Sequence, residues 1–266
     1  MLTHKEWANI EGGWYDTRRA MIARLLRGLR KPPATELLAR PAELPAPLEL
    51  GREFPPYRRI FSGAAPFVDA AHAAIAALPT EGGLLRGPVR GFLRPADALA
   101  LYEIAYHARG DVLEMGSAWG LSTTIIGRAI AASGRRAKVL SIEIDPHFQA
   151  ATRAAMLAAG LGGVYAGLPG DATVVAAQLA AAGMRVGGAF VDHDHAYAPT
   201  WQACRNLSQL LLPGGLALFH DFNDERNISE PEFYGVHRAV SEFVGDKRFA
   251  FLGTIGCCGL VGRMQA

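Results

Sequence analysis

From about residue 93 onward, short apolar runs alternate with longer stretches in which apolar residues recur every three or four positions. The runs are "DVLEM", "AKVLSIE", "GGAFVD" and "GLALFHD", each bounded by turn-forming residues. Between them lie "GLSTTIIGRAIAASG", "PHFQAATRAAMLAAG", "PTWQACRNLSQLL" and "EFYGVHRAVSEFV", which are helix-length. Pro95 and Gly110 bracket one further helix, "PADALALYEIAYHARG"; Pro146 and Gly160 bracket another, and Gly134 closes a third. The closing "RFAFLGTIGCCGLVGRM" contains two β-rich runs split near Gly253 or Gly256. Strands alternating with helices of this length predict an α/β fold with a mostly parallel sheet covered on both faces. The helices also supply the right-handed crossovers that parallel strands need.

The first 90 or so residues differ. "MLTHKEWANIEGGWYDTRRAMIARLLRGL" carries a helical pattern around Ile22, Leu25, Leu26 and Leu29. Seven prolines then fall between Pro32 and Pro56, which excludes long regular elements there. "PFVDAAHAAIAALP" predicts one more short helix. Residues 1–90 are therefore expected to be a helical and proline-rich extension, acting as a cap or in dimerisation, and residues 91–266 the main domain.

In sheets of this kind, ligands bind beyond the carboxyl ends of the strands. Those ends carry Glu114, Glu143, Asp192 and Asp221. "LEMGSAWG" places Gly116 and Gly120 across a strand-to-helix turn, where glycine lets the backbone approach a ligand. Glu143 ends the next strand, where an acid can accept the hydroxyls of a ribose. The turn lacks the Gly-x-Gly-x-x-Gly pyrophosphate fingerprint, so the expected ligand is a nucleoside without a pyrophosphate.

Composition narrows the partners. The formal net charge of +2 on 266 residues does not indicate a polyanion, and nucleic acid is not an expected partner. No apolar run approaches a membrane span, and the first residues form no signal-peptide core. Cys204, Cys257 and Cys258 give no paired framework. A reducing, cytoplasmic setting is the expectation.

Taken together, "VLEMGSAWGLST", "VLSIEIDPHFQAATRAAMLAAGL", "GDA", "AFVDHDHAY" and "LLLPGGLALFHD" resemble the class I S-adenosylmethionine-dependent methyltransferases, in that family's order across residues 111–222. The second and fourth segments look like catechol O-methyltransferase and its bacterial small-molecule relatives. The segment from "YGVHRAVSEFV" looks like natural-product and sugar-modifying members. The resemblance implies a Rossmann-like seven-stranded sheet with its last strand antiparallel, and S-adenosyl-L-methionine as cofactor. It implies that Glu114, Gly116 and Gly120 line the methionine part, with Ser117 and Ala118 donating backbone contacts. Glu143 would hold the ribose, Ile144 press on the adenine, and Asp171 sit at the adenine edge. Trp119 would cover the cofactor or pack in the core. Relatives often assemble into dimers, so a homo-oligomer is compatible with the chain.

The acceptor end is where "DHDH" falls. Methyl transfer from a sulfonium needs acceptor and methyl held in line, and a hydroxyl acceptor gains from losing its proton. A bound divalent metal or a general base can achieve that. The metal-dependent relatives match Asp192 and Asp221 as ligands, a set that suits Mg²⁺ or another divalent cation. They usually carry Asn or Asp directly after the second ligand; here Phe222 stands there, with Asn223 one further on. His220 precedes Asp221, where it either ligates a softer ion or orients that carboxylate. In place of the relatives' lysine stands His195, whose imidazole, with an ordinary pKa of about 6.5, can accept a proton at working pH. His195 and Asp192 are thus the expected catalytic pair. His193 reads as packing and Asp194 as a capping residue; His72, His107, His147 and His237 read as surface or packing residues. The expected function is O-methylation of a small secondary metabolite. N-methylation without a metal, or a nicotinamide-dependent oxidoreductase, are the alternatives. The segment 223–235 is expected to shape the acceptor pocket as a lid.

Overall fold

The computed structural model describes residues 35–265. The helical pattern around Ile22 to Leu29 lies outside them. Seven strands form one sheet: β1 (Val112–Met115), β2 (Val139–Glu143), β3 (Tyr165–Pro169), β4 (Val186–Val191), β5 (Leu211–Phe219), β6 (Phe249–Ile255) and β7 (Cys258–Arg263). Their order is β3-β2-β1-β4-β5-β7-β6. The first five run parallel; β7 is antiparallel to both β5 and β6. β1, β2 and β4 are buried along their whole length, which is why they read as unbroken apolar runs rather than alternating ones.

One of these features differs from the sequence pattern. β3 is not among the runs that the pattern marks, because this edge strand pairs only with β2 and its Tyr-Ala-Gly stretch is not buried. The final β run splits at Gly256, at φ +58°, one of the two positions expected, while Gly253 stays inside β6 at an irregularity.

Helices α1 (Ala70–Ala76), α2 (Pro95–His107), α3 (Leu121–Ala132) and α4 (Pro146–Ala158) pack in sequence on one another. So do α5 (Ala172–Ala181), α6 (Tyr197–Leu210) and α7 (Val236–Phe243). The chain adds strands in one direction from β1 to β3 and in the other from β4 to β5, so right-handed crossovers put the two helix groups on opposite faces. The order reverses between β1 and β4, which opens the crevice where such sheets bind ligands. Local signals set the helix starts: Asp145 caps α4 ahead of Pro146, and Asp171 caps α5.

α2 is buried almost all round, and its Glu103 ties the proline-rich segment down. This fully buried carboxylate accepts from Tyr57 Oη at 2.7 Å, Arg59 Nε at 2.6 Å, and the backbone N–H of Ile60 at 2.8 Å and Phe61 at 3.2 Å. A lone buried carboxylate would be costly; four donors offset its desolvation. His72 stacks on Tyr102 inside the same region and is fully buried. Among the described residues, no helix is long and apolar enough to cross a membrane.

Candidate active site

The turn after β1 is built by Gly116, at φ +89°, Ala118, at φ +43°, and Gly120, at φ +89°. A Cβ on Gly116 would stand 2.0 Å from the carbonyl oxygen of Asp192, and one on Gly120 would stand 2.9 Å from Thr152 Cα. Both glycines are therefore needed for close backbone approach as well as for left-handed φ. Ala118 bears the left-handed cost without being glycine, a form of strain that concentrates at functional sites.

Glu143 anchors this turn. Its Oε2 accepts the backbone N–H of Ser117 at 3.0 Å and of Ala118 at 2.9 Å, and its Oε1 accepts from Asp145 N–H at 3.0 Å. The two amides expected at the methionine part donate to Glu143 in this structure. Oε2 is filled by these donors, whereas Oε1 keeps a lone pair for a ribose hydroxyl. Glu114 is fully buried, with Oε2 accepting from Thr123 Oγ1 at 2.5 Å and Ser141 Oγ at 2.6 Å. Its Oε1 has no partner, and burial pushes its carboxyl up to about 7. Only that one oxygen is left for a ligand.

The remaining expected nucleoside contacts are placed as follows. Ile144 is 68% exposed, an apolar side chain left uncovered beside Glu143. Asp171 Oδ1 accepts from Thr173 N–H at 2.8 Å, Val174 N–H at 3.0 Å and Thr173 Oγ1 at 2.5 Å, so this oxygen serves as a helix cap. Trp119 is half-buried and meets Phe148 edge-on at 4.8 Å, with the Arg90 guanidinium 5.1 Å from its ring.

At the ends of β4 and β5, Asp192, His195, His220 and Asp221 converge, and one ligand atom from each lies within 4.8 Å of the others. His195 Nε2 stands 3.0 Å from Asp221 Oδ2 and 3.4 Å from Asp192 Oδ1. His220 Nδ1 stands 3.2 Å from both Asp192 Oδ1 and Asp221 Oδ1. Asp221 takes a left-handed φ of +52°, which turns its side chain back toward the cluster. His220 is 94% buried by its 6% exposure, and neither ring nitrogen has an aligned hydrogen-bond partner. Two carboxylates and an orphaned buried imidazole are a donor set that fits a divalent cation.

Charge coupling dominates here. Burial works against the ionised Asp192, but the charge of His220 nearby and the hydrogen bond with His195 outweigh it and hold the carboxyl well below its ordinary range. Burial pulls His195 down, yet the hydrogen bond to Asp192 and the charges of Asp221 and Asp192 raise it above the ordinary histidine value. The two carboxylates thus hold the proton on this imidazole more firmly than water would.

Neighbouring groups separate into two sets. From the segment 223–235, Tyr234 stacks on His195 at 5.2 Å, and Arg226 Nη2 stands 3.8 Å from Asp221 Oδ2. Asn223 is not in the cluster: its side chain donates to Glu53 O at 2.8 Å and accepts from Gly51 N–H at 3.2 Å. Phe222 is fully buried against Phe251 and His237. Asp194 accepts from Ala196 N–H at 2.9 Å ahead of α6. His193 leaves a buried Nε2 without a partner. Sequence reasoning misses Asp97 and Cys257. Asp97 Oδ2 lies 3.8 Å from His220 Nε2, and Cys257 Sγ donates to Asp221 Oδ1 at 3.5 Å. Nothing in the local sequence marks them, since they arrive through α2 and the β6–β7 turn.

The family model described as a methyltransferase domain matches residues 113–222. No curated protein matches the chain significantly in sequence. Solved structures share the fold at low identity. The O-methyltransferase TomG from Streptomyces achromogenes, involved in tomaymycin synthesis and solved with SAM, is 20% identical, with a TM-score of 0.56 over 74% of this chain and 91% of that one. An O-methyltransferase from Bacillus cereus, solved with SAH, is 18% identical, with a TM-score of 0.53 over 72% and 86%. The SAH-bound methyltransferase PaMTH1 from Podospora anserina is 18% identical, with a TM-score of 0.54 over 77% and 100%. The family match and the sheet order agree: residues 113–222 match a methyltransferase domain, and the sheet that carries them has the seven-stranded fold of the solved methyltransferases.

Proposed function

We propose that the chain binds S-adenosylmethionine along the β1 and β2 strand ends and methylates a hydroxyl of a small molecule held at the Asp192–His195–His220–Asp221 cluster. One observation carries this reading. The cofactor turn and the acid–imidazole cluster touch, because Gly116 leaves no room for even a methyl group beside the Asp192 carbonyl. A methyl donor and an acceptor at these two places are therefore neighbours.

Bound there, S-adenosylmethionine supplies the sulfonium methyl group that passes to the acceptor oxygen. Glu143 holds the turn through Ser117 and Ala118 with Oε2 and offers the remaining lone pair of Oε1 to a ribose hydroxyl. Ile144 gives the adenine an apolar face. His195 takes the hydroxyl proton, and Asp192 and Asp221, both facing its Nε2, stabilise the imidazolium that results. Tyr234 fixes the His195 ring plane by stacking, and Arg226 closes the same side. A divalent cation held by Asp192, Asp221 and His220 would supply Lewis acidity that favours the deprotonated acceptor.

The test is transfer of labelled methyl from S-adenosylmethionine to a panel of phenols, sugar hydroxyls and amines. Label on oxygen supports the reading. Label on nitrogen alone would replace it with N-methylation.

A further inference from the structure

Resting on that reading of the acceptor end, we infer that the centre formed by Asp192, Asp221 and His220 selects a first-row transition ion over Mg²⁺, through the Nδ1 atom of His220, with Asp97 positioning that ring.

The donor set is the first reason. Mg²⁺ favours an octahedron of oxygens and keeps several waters, and imidazole suits it poorly. Here the residue after Asp221 is Phe222, packed into the core, and Asn223 is committed to the backbone of Gly51 and Glu53. The oxygen ligand that an all-oxygen site needs is absent from this position. In its place a nitrogen, His220 Nδ1, stands 3.2 Å from an oxygen of each carboxylate. One imidazole and two carboxylates on one side leave positions open for waters or two acceptor oxygens, an arrangement suited to Mn²⁺, Fe²⁺ or Co²⁺.

The surroundings of His220 are the second reason. The side chain lies at the carboxyl end of β5, an interior strand, with Phe190 edge-on at 6.0 Å, and both nitrogens lack an aligned partner. Its far nitrogen, Nε2, faces the fully buried Asp97 at 3.8 Å. Asp97 is itself held, accepting from Arg94 N–H at 2.8 Å and Cys257 N–H at 2.8 Å. A fixed carboxylate beside Nε2 favours the tautomer with the proton there and leaves the Nδ1 lone pair for the ion. An orphaned, nine-tenths buried nitrogen aimed between two carboxylates is what a metal ligand looks like before the metal arrives.

The test uses the full chain stripped of metal, with Co²⁺, Mn²⁺ and Mg²⁺ titrated separately, and pulsed electron paramagnetic resonance on the Mn²⁺ form. Wild type and His220→Asp, which recreates an all-oxygen set, are compared. Wild type should bind Co²⁺ in preference to Mg²⁺, and that preference should shrink at least about tenfold in the variant. Nitrogen modulation should surround Mn²⁺ in the wild type and be lost or altered in the variant. An unchanged metal preference with unchanged nitrogen coupling, or no metal binding by the wild type, would overturn the inference. S-adenosylhomocysteine binding on the same samples shows separately whether the methyltransferase reading stands. His220→Gln guards against a variant that misfolds, because it keeps a neutral polar side chain while removing the imidazole nitrogen; retained nitrogen coupling in it would also count against the inference.

Discussion

His195 Nε2 lies 3.0 Å from Asp221 Oδ2, so the expected base of the reaction is clamped by a carboxylate that also faces His220. His195→Ala should lower kcat by about 10²- to 10⁴-fold, the usual contribution of general base catalysis, with S-adenosylhomocysteine affinity little changed. A base must be unprotonated to act. Because the neighbouring carboxylates raise its pKa, activity should climb with pH through a limb above the ordinary histidine value of 6.5. A limb at or below that value would show that another group takes the proton.

Gly116→Ala should damage both fold and binding. The added carbon meets the Asp192 carbonyl oxygen and must also hold a φ of +89°. Left-handed strain alone costs about 1–3 kcal/mol, and the clash adds to it. Chemical denaturation should show a loss of at least about 2 kcal/mol, with weakened S-adenosylhomocysteine binding. An unchanged midpoint would contradict the tight approach of turn and cluster.

Glu114 makes stability fall as pH rises. Burial lifts its carboxyl from 4.5 to about 7, so the folded state prefers the neutral form. The stabilisation is complete below the unfolded value and is lost as pH rises through about 7, amounting to on the order of 3 kcal/mol. Glu114→Gln should flatten that fall between pH 5 and pH 8, measured by denaturant midpoints at about those values. A slope that persists in the variant would assign it to other groups.

Glu103→Ala should destabilise the protein by about 3 kcal/mol, since it leaves the half-buried Arg59 guanidinium without its carboxylate and the Ile60 and Phe61 amides without an acceptor. Limited proteolysis should then cut near residues 57–61, a segment that Glu103 otherwise holds on α2. Wild-type resistance there would argue that the surrounding apolar contacts suffice.

The strand ends were the most legible part of the chain. A buried parallel strand needs an unbroken apolar run, and a ligand crevice needs polar groups where the run stops, so Glu114, Glu143, Asp192 and Asp221 mark themselves. β3 was not legible, because an edge strand with Gly167 and Pro169 has neither strong alternation nor a continuous apolar face. The directions of the Ser117 and Ala118 amides depend on where Glu143 sits, which only the folded turn decides. Asp97 is the clearest loss. In sequence it reads as a residue of a first helical turn and does serve there, accepting from Arg94 N–H. Its second face, toward His220, exists only because α2 and the β6–β7 turn pack at the carboxyl end of β5.

The most direct measurement is a calorimetric titration of the full chain with S-adenosylhomocysteine, run beside NAD and beside Glu143→Ala. Saturable binding of S-adenosylhomocysteine is expected, greatly weakened in the variant, with no response to NAD. Absence of binding to the folded wild type, or binding of NAD instead, would contradict the assignment of this crevice to a methyl donor.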